Sequence, residues 1–305
     1  MRSLQFLPPQ TIKSTPRSAR FTFTPRDTTV FPLNQTASKS IPYRLAGIDI
    51  DGTLLGADSQ VSAENIAAVG RLRELGVRVV LASGRRHENM VRFADRLQLD
   101  EPLVSCQGAL VKNEKTGRII YRHPVPAALA EEAMRDGLAD GMTIIYYQMN
   151  GIYISGRNQY TDLYHARGGD PLIEGTLKDL TGTPLKIIWI NSADEIARRL
   201  PAVRERYYGR LETVVTYPEY LEFIDMGVSK AVGLAAIAGE YGIARSEVLT
   251  FGDGDNDVPM LQWAGCSVAM SHASPDAKAA AAMVAPAGDS GTSLARAISA
   301  VLAGK

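Results

Sequence analysis

Asp49 and Asp51 stand two positions apart at the end of the apolar run LAGIDIDGTLL, with Gly52 directly behind them. Alternation along a strand sends residues i and i+2 the same way, so both carboxylates can project from one strand end into one crevice. That is where open α/β sheets bind their ligands. A second acidic group, Asp253, Asp255 and Asp257 in GDGDND, follows another apolar run much later in the chain. Carboxylates brought together raise one another's pKa and destabilise a fold unless a cation resolves the repulsion. Hard oxygen donors of this kind suit Mg²⁺.

The other polar positions suit a phosphate. Ser83 and the backbone N–H groups that follow it, Gly84 first, end the run VRVVLAS and can cradle anionic oxygens at a helix start. Lys230 in GVSKAVGL can supply a positive charge to the same group. Each signal alone has a plainer reading, because D-G is a common turn dipeptide and most lysines are solvated. Four strand-end signals in one chain are harder to dismiss together.

These positions need a frame, and the hydrophobic pattern supplies one. Residues 43–50 read as a buried strand, and VSAENIAAVGRLRELG as a helix capped by Ser62 with Ile66, Val69 and Leu72 on one face. A strand ending at Ser83, a helix over 87–97 and the strand PLVSCQ continue a βαβ pattern with a mostly parallel sheet. Between 121 and 216 the pattern changes to short aromatic and β-branched stretches, TIIYYQM, GIYIS and PLKIIWI, then the helix-like ADEIARRLPAVRERY. Tyr147, Tyr153, Tyr160 and Tyr164 in this segment could line a substrate crevice, but aromatic residues on strands are more often packing residues, and packing is the expectation for each one. The doubly wound pattern resumes from Leu221, with a helix over 229–240, the strand CSVAM and an Ala-rich helix over 276–284. The expected fold class is α/β: a Rossmann-like, mostly parallel core in two parts, 41–120 and 217–305, with an inserted α+β cap at 121–216.

Composition narrows the function classes. Lys plus Arg and Asp plus Glu both number 33 in 305 residues, so bulk charge gives no argument for a nucleic-acid or membrane partner. Cys106 and Cys266 are the two cysteines, too few for a disulfide framework or a cysteine-built metal site, and a reducing, cytoplasmic setting is the default. Residues 1–40 are basic, Ser- and Thr-rich and poor in acids. They read as a disordered extension and leave organellar targeting open.

In the order DIDGTLL, LASGR, GVSK and GDGDNDVPML, the chain resembles the haloacid dehalogenase superfamily, and within it the Cof-type phosphatases with an inserted α+β cap (subclass IIB-like). The likeness runs over about residues 43–303, including SVAM and DSGTSLARAI. It implies a Mg²⁺-dependent phosphatase acting on a small phosphorylated metabolite, a sugar phosphate or a phosphorylated cofactor or precursor. Asp49 would be the nucleophile and Asp51 the acid and base. Ser83, Gly84, Lys230 and Asn256 would hold the phosphate. Magnesium would take the Asp49 and Asp253 carboxylates and the Asp51 backbone carbonyl, with Asp257 in direct contact or just behind. Gly52 would allow the sharp turn.

Two features depart from that pattern. Gln107-Gly108 stands where relatives commonly carry Asn-Gly, near the cap hinge, and SHAS at 271–274 replaces a GNA-like segment. His272 in it can approach the rim of the site, but a structural histidine is the plainer expectation. A phosphotransferase or phosphomutase of the same superfamily is the alternative enzyme. A non-catalytic phosphometabolite-binding protein is the alternative of another class, disfavoured because Asp49, Asp51, Lys230 and Asp253 are all present. The oligomeric state stays open.

Overall fold

The structure is a computed structural model that describes residues 41–175 and 183–304. The expected N-terminal extension, residues 1–40, lies outside these residues. The chain begins with β1 (Leu45–Ile48), α1 (Ala63–Glu74), β2 (Arg78–Leu81) and α2 (His87–Arg96), then β3 (Leu103–Ser105), β4 (Leu110–Lys112) and β5 (Ile119–Arg122). It continues through α3 (Ala127–Ala139), β6 (Thr143–Gln148), β7 (Gly151–Ile154), α4 (Gln159–Gly168), β8 (Leu172–Glu174), β9 (Lys186–Ile190), α5 (Ala193–Tyr207), β10 (Leu211–Tyr217) and β11 (Tyr220–Asp225). The last part is α6 (Lys230–Glu240), β12 (Val248–Gly252), α7 (Val258–Trp263), β13 (Cys266–Ala269), α8 (Pro275–Ala280), β14 (Met283–Val284) and α9 (Ser293–Leu302).

Among the described residues, β14-β13-β12-β1-β2 form a parallel sheet with β1 between β12 and β2. Strands buried on both faces of such a sheet read as continuous apolar runs, and every residue of β1 is buried. Helix α1 packs Val69 and Leu72 into this core, and the Ser62 hydroxyl accepts from the Asn65 N–H at its start. The Asn65 side chain is itself buried and donates to the carbonyls of Leu54 and Gly291, fastening the loop after β1 to the chain end. The expected Ala-rich helix over 276–284 stops at Ala280: Met283 and Val284 pair with Val268 and Ala269 as an edge strand. Ala281 already has extended backbone, and sheet pairing outweighs the helical preference of the alanines.

The insertion builds a mixed sheet in the order β10-β11-β9-β6-β7-β8. Its strands alternate between two faces. Ile187, Trp189 and Phe223 pack with Tyr207 of α5 and Ala130, Ala133 and Met134 of α3. On β9 and β11, the interleaved Lys186, Ile188, Tyr220 and Glu222 face a cavity instead. The boundary expected at 216 falls inside the hairpin of β10 and β11, and β11 also pairs with β9, so this sheet runs on to Asp225. At the other end, residue 121 falls in β5, part of the three-stranded antiparallel sheet β3-β4-β5. The two crossings between the sheets are tied by His123 Nε2, which donates to Asp225 Oδ2 at 2.6 Å. Among the described residues, no helix is long and apolar enough to cross a membrane.

Candidate active site

Asp49 is the first residue after β1, and its N–H continues the ladder by donating to the Phe251 carbonyl at 3.0 Å. The chain then turns sharply through Gly52, at φ +85°. A Cβ there would sit 2.2 Å from Asp253 Oδ2, so glycine is what lets the two acidic loops touch. Thr53 donates to Asp253 Oδ1 at 3.0 Å and holds that carboxylate against the turn.

Asp257 organises the second loop. Its Oδ2 accepts from the N–H groups of Asp253 and Gly254 at 2.9 and 3.0 Å. Its Oδ1 accepts from Lys230 Nζ at 2.6 Å, and Lys230 also donates to Asp49 Oδ1 at 2.5 Å. Lys230 opens α6 behind the Ser229 cap and is buried along with Asp49 and Asp257. Burial penalises its ammonium, yet the two carboxylates outweigh that and hold it firmly protonated. Burial and the Asp257 charge push Asp49 well above the usual carboxylate range, against the pull of Lys230. Burial, then Asp257, push Asp253 up to about 6.

Asp49, Asp253 and Asp257 offer carboxylate oxygens within 4.8 Å of one another. Three buried or half-buried anionic oxygen donors raising one another's pKa form a donor set that fits a hard divalent cation. The Asp51 carboxylate is not in that group. Arg85 takes it in a two-pronged contact, Nε to Oδ2 at 2.8 Å and Nη2 to Oδ1 at 2.7 Å.

Ser83 is buried, and its hydroxyl accepts from the Arg85 N–H at 3.2 Å, bending the backbone that follows β2. Gly84 lies against the Gln107 carboxamide, whose Nε2 would be 2.4 Å from a Cβ at this position. Asn256 donates from Nδ2 to Gln107 Oε1 at 3.1 Å. The fold thus brings Asp49, Asp51, Ser83, Gly84, Lys230, Asp253, Asn256 and Asp257 to one end of the parallel sheet. His272 Nε2 donates to the Gly52 carbonyl at 2.7 Å at the exposed rim.

A cavity of about 800 Å³ separates these loops from the second sheet. Its far wall carries Tyr147, Tyr164, Tyr217, Arg167, Lys186 and Glu222. The Tyr147 and Tyr164 hydroxyls bond each other, whereas Tyr153 and Tyr160 bond Asn150 and Asn191 away from the cavity. Sequence reasoning left Arg85, Lys186 and Glu222 unassigned, along with Arg167 and Tyr217 of the far wall. For Lys186 and Glu222 the available signal was a charged residue set inside an apolar run, Lys186 in PLKIIWI and Glu222 between Leu221 and Phe223, since buried charges require partners.

Residues 47–298 match the haloacid dehalogenase-like hydrolase family. The chain is 27% identical over 248 residues to the 5-amino-6-(5-phospho-D-ribitylamino)uracil phosphatase YitU of Bacillus subtilis, covering 76% of this chain and 87% of that one. It is 26% identical over 238 residues to the HMP-PP phosphatase of Yersinia pseudotuberculosis, covering 77% and 86%. A solved haloacid dehalogenase-like hydrolase from Bacteroides thetaiotaomicron has the same fold at a TM-score of 0.76 and 26% identity, covering 85% of this chain and 99% of its own. A parallel sheet with clustered carboxylates at its strand ends and an inserted α+β cap above them agrees with these matches, and the chain belongs to the haloacid dehalogenase-like hydrolase family.

Proposed function

We propose that this enzyme hydrolyses the phosphate monoester of a small metabolite through an aspartyl-phosphate. The observation that carries the reading is the buried Asp49 carboxylate, 2.5 Å from Lys230 and grouped with two further carboxylates, at the floor of a cavity roofed by the cap. An Asp49 oxygen attacks phosphorus, and the bond to the leaving oxygen breaks as Asp51 gives that oxygen a proton. Asp51 then takes a proton from water, whose oxygen attacks the aspartyl-phosphate and releases Asp49 and inorganic phosphate. Splitting the transfer into two steps lets one residue serve as acid and then as base.

Ser83, the Gly84 N–H, Lys230 and Asn256 are proposed to hold the phosphate oxygens. The Asp49 and Asp253 carboxylates and the Asp51 backbone carbonyl would hold Mg²⁺, with Asp257 in direct contact or just behind, and the ion when bound neutralises charge between an anionic nucleophile and an anionic ester. Arg85 steers the Asp51 carboxylate. The tyrosine-lined wall of the cap receives the leaving group, so the cap, on this reading, selects among sugar phosphates and phosphorylated cofactors or precursors. The two relatives described above are named as phosphatases, one of 5-amino-6-(5-phospho-D-ribitylamino)uracil and one of HMP-PP, which supports a phosphatase reading.

A phosphometabolite screen with and without Mg²⁺ tests the reading. We expect inorganic phosphate to appear in step with substrate lost, to stop when the metal is chelated, and to be absent with Asp49→Asn. Phosphate moving instead to an added sugar would make the enzyme a phosphotransferase, and turnover by Asp49→Asn would remove Asp49 from the nucleophile's role.

A further inference from the structure

Gln107 lies between β3 and β4 with its backbone at φ +62°, following Cys106 at φ +51°. Side chains rarely adopt this left-handed conformation, and two in succession persist only where the surroundings hold them. The carboxamide is buried and serves two different elements. Its Oε1 accepts from Asn256 of the GDGDND loop at 3.1 Å, and its Nε2 donates to Glu222 Oε2 on β11 of the cap at 3.1 Å. The other Glu222 oxygen accepts from Lys186 at 2.8 Å and Thr216 at 3.0 Å. Lys186, from β9, reaches across to the Gly84 carbonyl at 2.8 Å. Gln107, Lys186 and Glu222 are each at most 3% exposed. Flipping the amide would set its carbonyl against the Glu222 carboxylate, so Glu222 fixes the orientation of Gln107 and thereby which end of the Asn256 amide faces it.

We propose that Gln107 is a positioning residue that couples docking of the cap to the phosphate site: with Glu222 in place it orients Asn256 for the phosphate, and without that contact Asn256 loses its anchor. The inference rests on the functional reading that Asn256 touches the phosphate. Its consequence is that a residue on the cap, making no contact with Asn256, sets affinity for phosphate itself and not only for the leaving group.

Inorganic phosphate is the probe, read as its inhibition constant against p-nitrophenyl phosphate hydrolysis by the full chain with Mg²⁺. Gln107→Asn keeps the amide, suits left-handed backbone at least as well, and is one methylene too short to serve both partners. We expect Gln107→Asn and Glu222→Gln each to raise that constant about tenfold, a change of about 1.4 kcal/mol in binding. In an Asn256→Ala background both should alter it by less than about twofold, because the coupled partner is gone. Gln107→Met, of similar length but without the amide, gives the same readout where Gln107→Asn unfolds. A purely structural role would lower melting temperature without this dependence on Asn256. The inference is overturned if Glu222→Gln leaves phosphate inhibition unchanged, or if the effects persist undiminished in Asn256→Ala. A wild-type enzyme that hydrolyses no phosphate ester overturns the functional reading, and this inference with it.

Discussion

Lys230 donates to Asp49 at 2.5 Å and to Asp257 at 2.6 Å, so one ammonium on the first residue of α6 joins the first acidic loop to the last. Lys230→Met leaves those two buried carboxylates facing each other without a cation. We expect kcat to fall by about 10²–10³ or more, the usual cost of removing one preorganised charge partner. The variant's melting temperature should also rise more on adding Mg²⁺ than that of the wild type. Steady-state kinetics and circular dichroism melts with and without the metal check both.

The forked contact from Arg85 to Asp51 gives a separate prediction. Asp51→Asn should spare p-nitrophenyl phosphate in the first step, because nitrophenolate leaves without a proton, but should slow attack of water. A burst of nitrophenol followed by slow turnover is expected in rapid-mixing traces. Arg85→Lys keeps the charge but not the two-pronged geometry, and should cost about tenfold in kcat on alkyl phosphates and less on the nitrophenyl ester.

Gly108 has no room for a side chain. Its φ is +103°, and a Cβ would lie 2.0 Å from the Ser229 carbonyl oxygen, a backbone atom just before α6. Gly108→Ala should destabilise the fold by about 3 kcal/mol or more, combining backbone strain with a clash that cannot be relieved by a rotamer. Gly117, also at positive φ but with open space around it, is the control: Gly117→Ala should cost about 1–2 kcal/mol. Urea unfolding distinguishes them.

His87 is buried at the start of α2, where burial lowers its pKa against the opposing hydrogen bond to Glu114. The unfolded chain therefore binds the proton first. Stability should be complete above about pH 6.5 and fall as pH drops below it, by up to about 1.4 kcal/mol per pH unit until the folded pKa is reached. Glu114, held low by Lys112 and His87, loses its own contribution in a separate window below the ordinary carboxylate pKa. Urea midpoints of wild type and His87→Gln between pH 7.5 and 5.5 test this; the variant should lose most of the slope.

Much of this arrangement is visible in the chain's pattern. Buried parallel strands announce themselves as apolar runs, and the acids that follow β1 and β12 stand where those runs stop. Less of the cap is visible. Tyr220–Asp225 reads as easily as a returning core strand, because a short apolar run carries no mark of which sheet it joins. Met283–Val284 is hidden by the alanines before it. Arg85 sits inside a recognised motif, yet its partner Asp51 is a contact between loops that no local spacing encodes. Lys186 and Glu222 become intelligible only once β9 and β11 are neighbours.

The central position of β1 also orders events during synthesis. Its neighbour β2 emerges early, but Leu45 pairs on its other side with Val248, which leaves the ribosome only after the entire cap. The cap sheet is built largely from antiparallel strands close in sequence and can form while the core is still half a sheet, since nearby pairings close with less loss of chain entropy than distant ones. Until β12 slots in beside β1, Asp49 has neither Asp253 nor Asp257 opposite it. A nascent chain can therefore hold a finished roof over an unfinished floor, and the centre that would attack phosphate esters is assembled only once β12 and the acidic loop after it have joined β1.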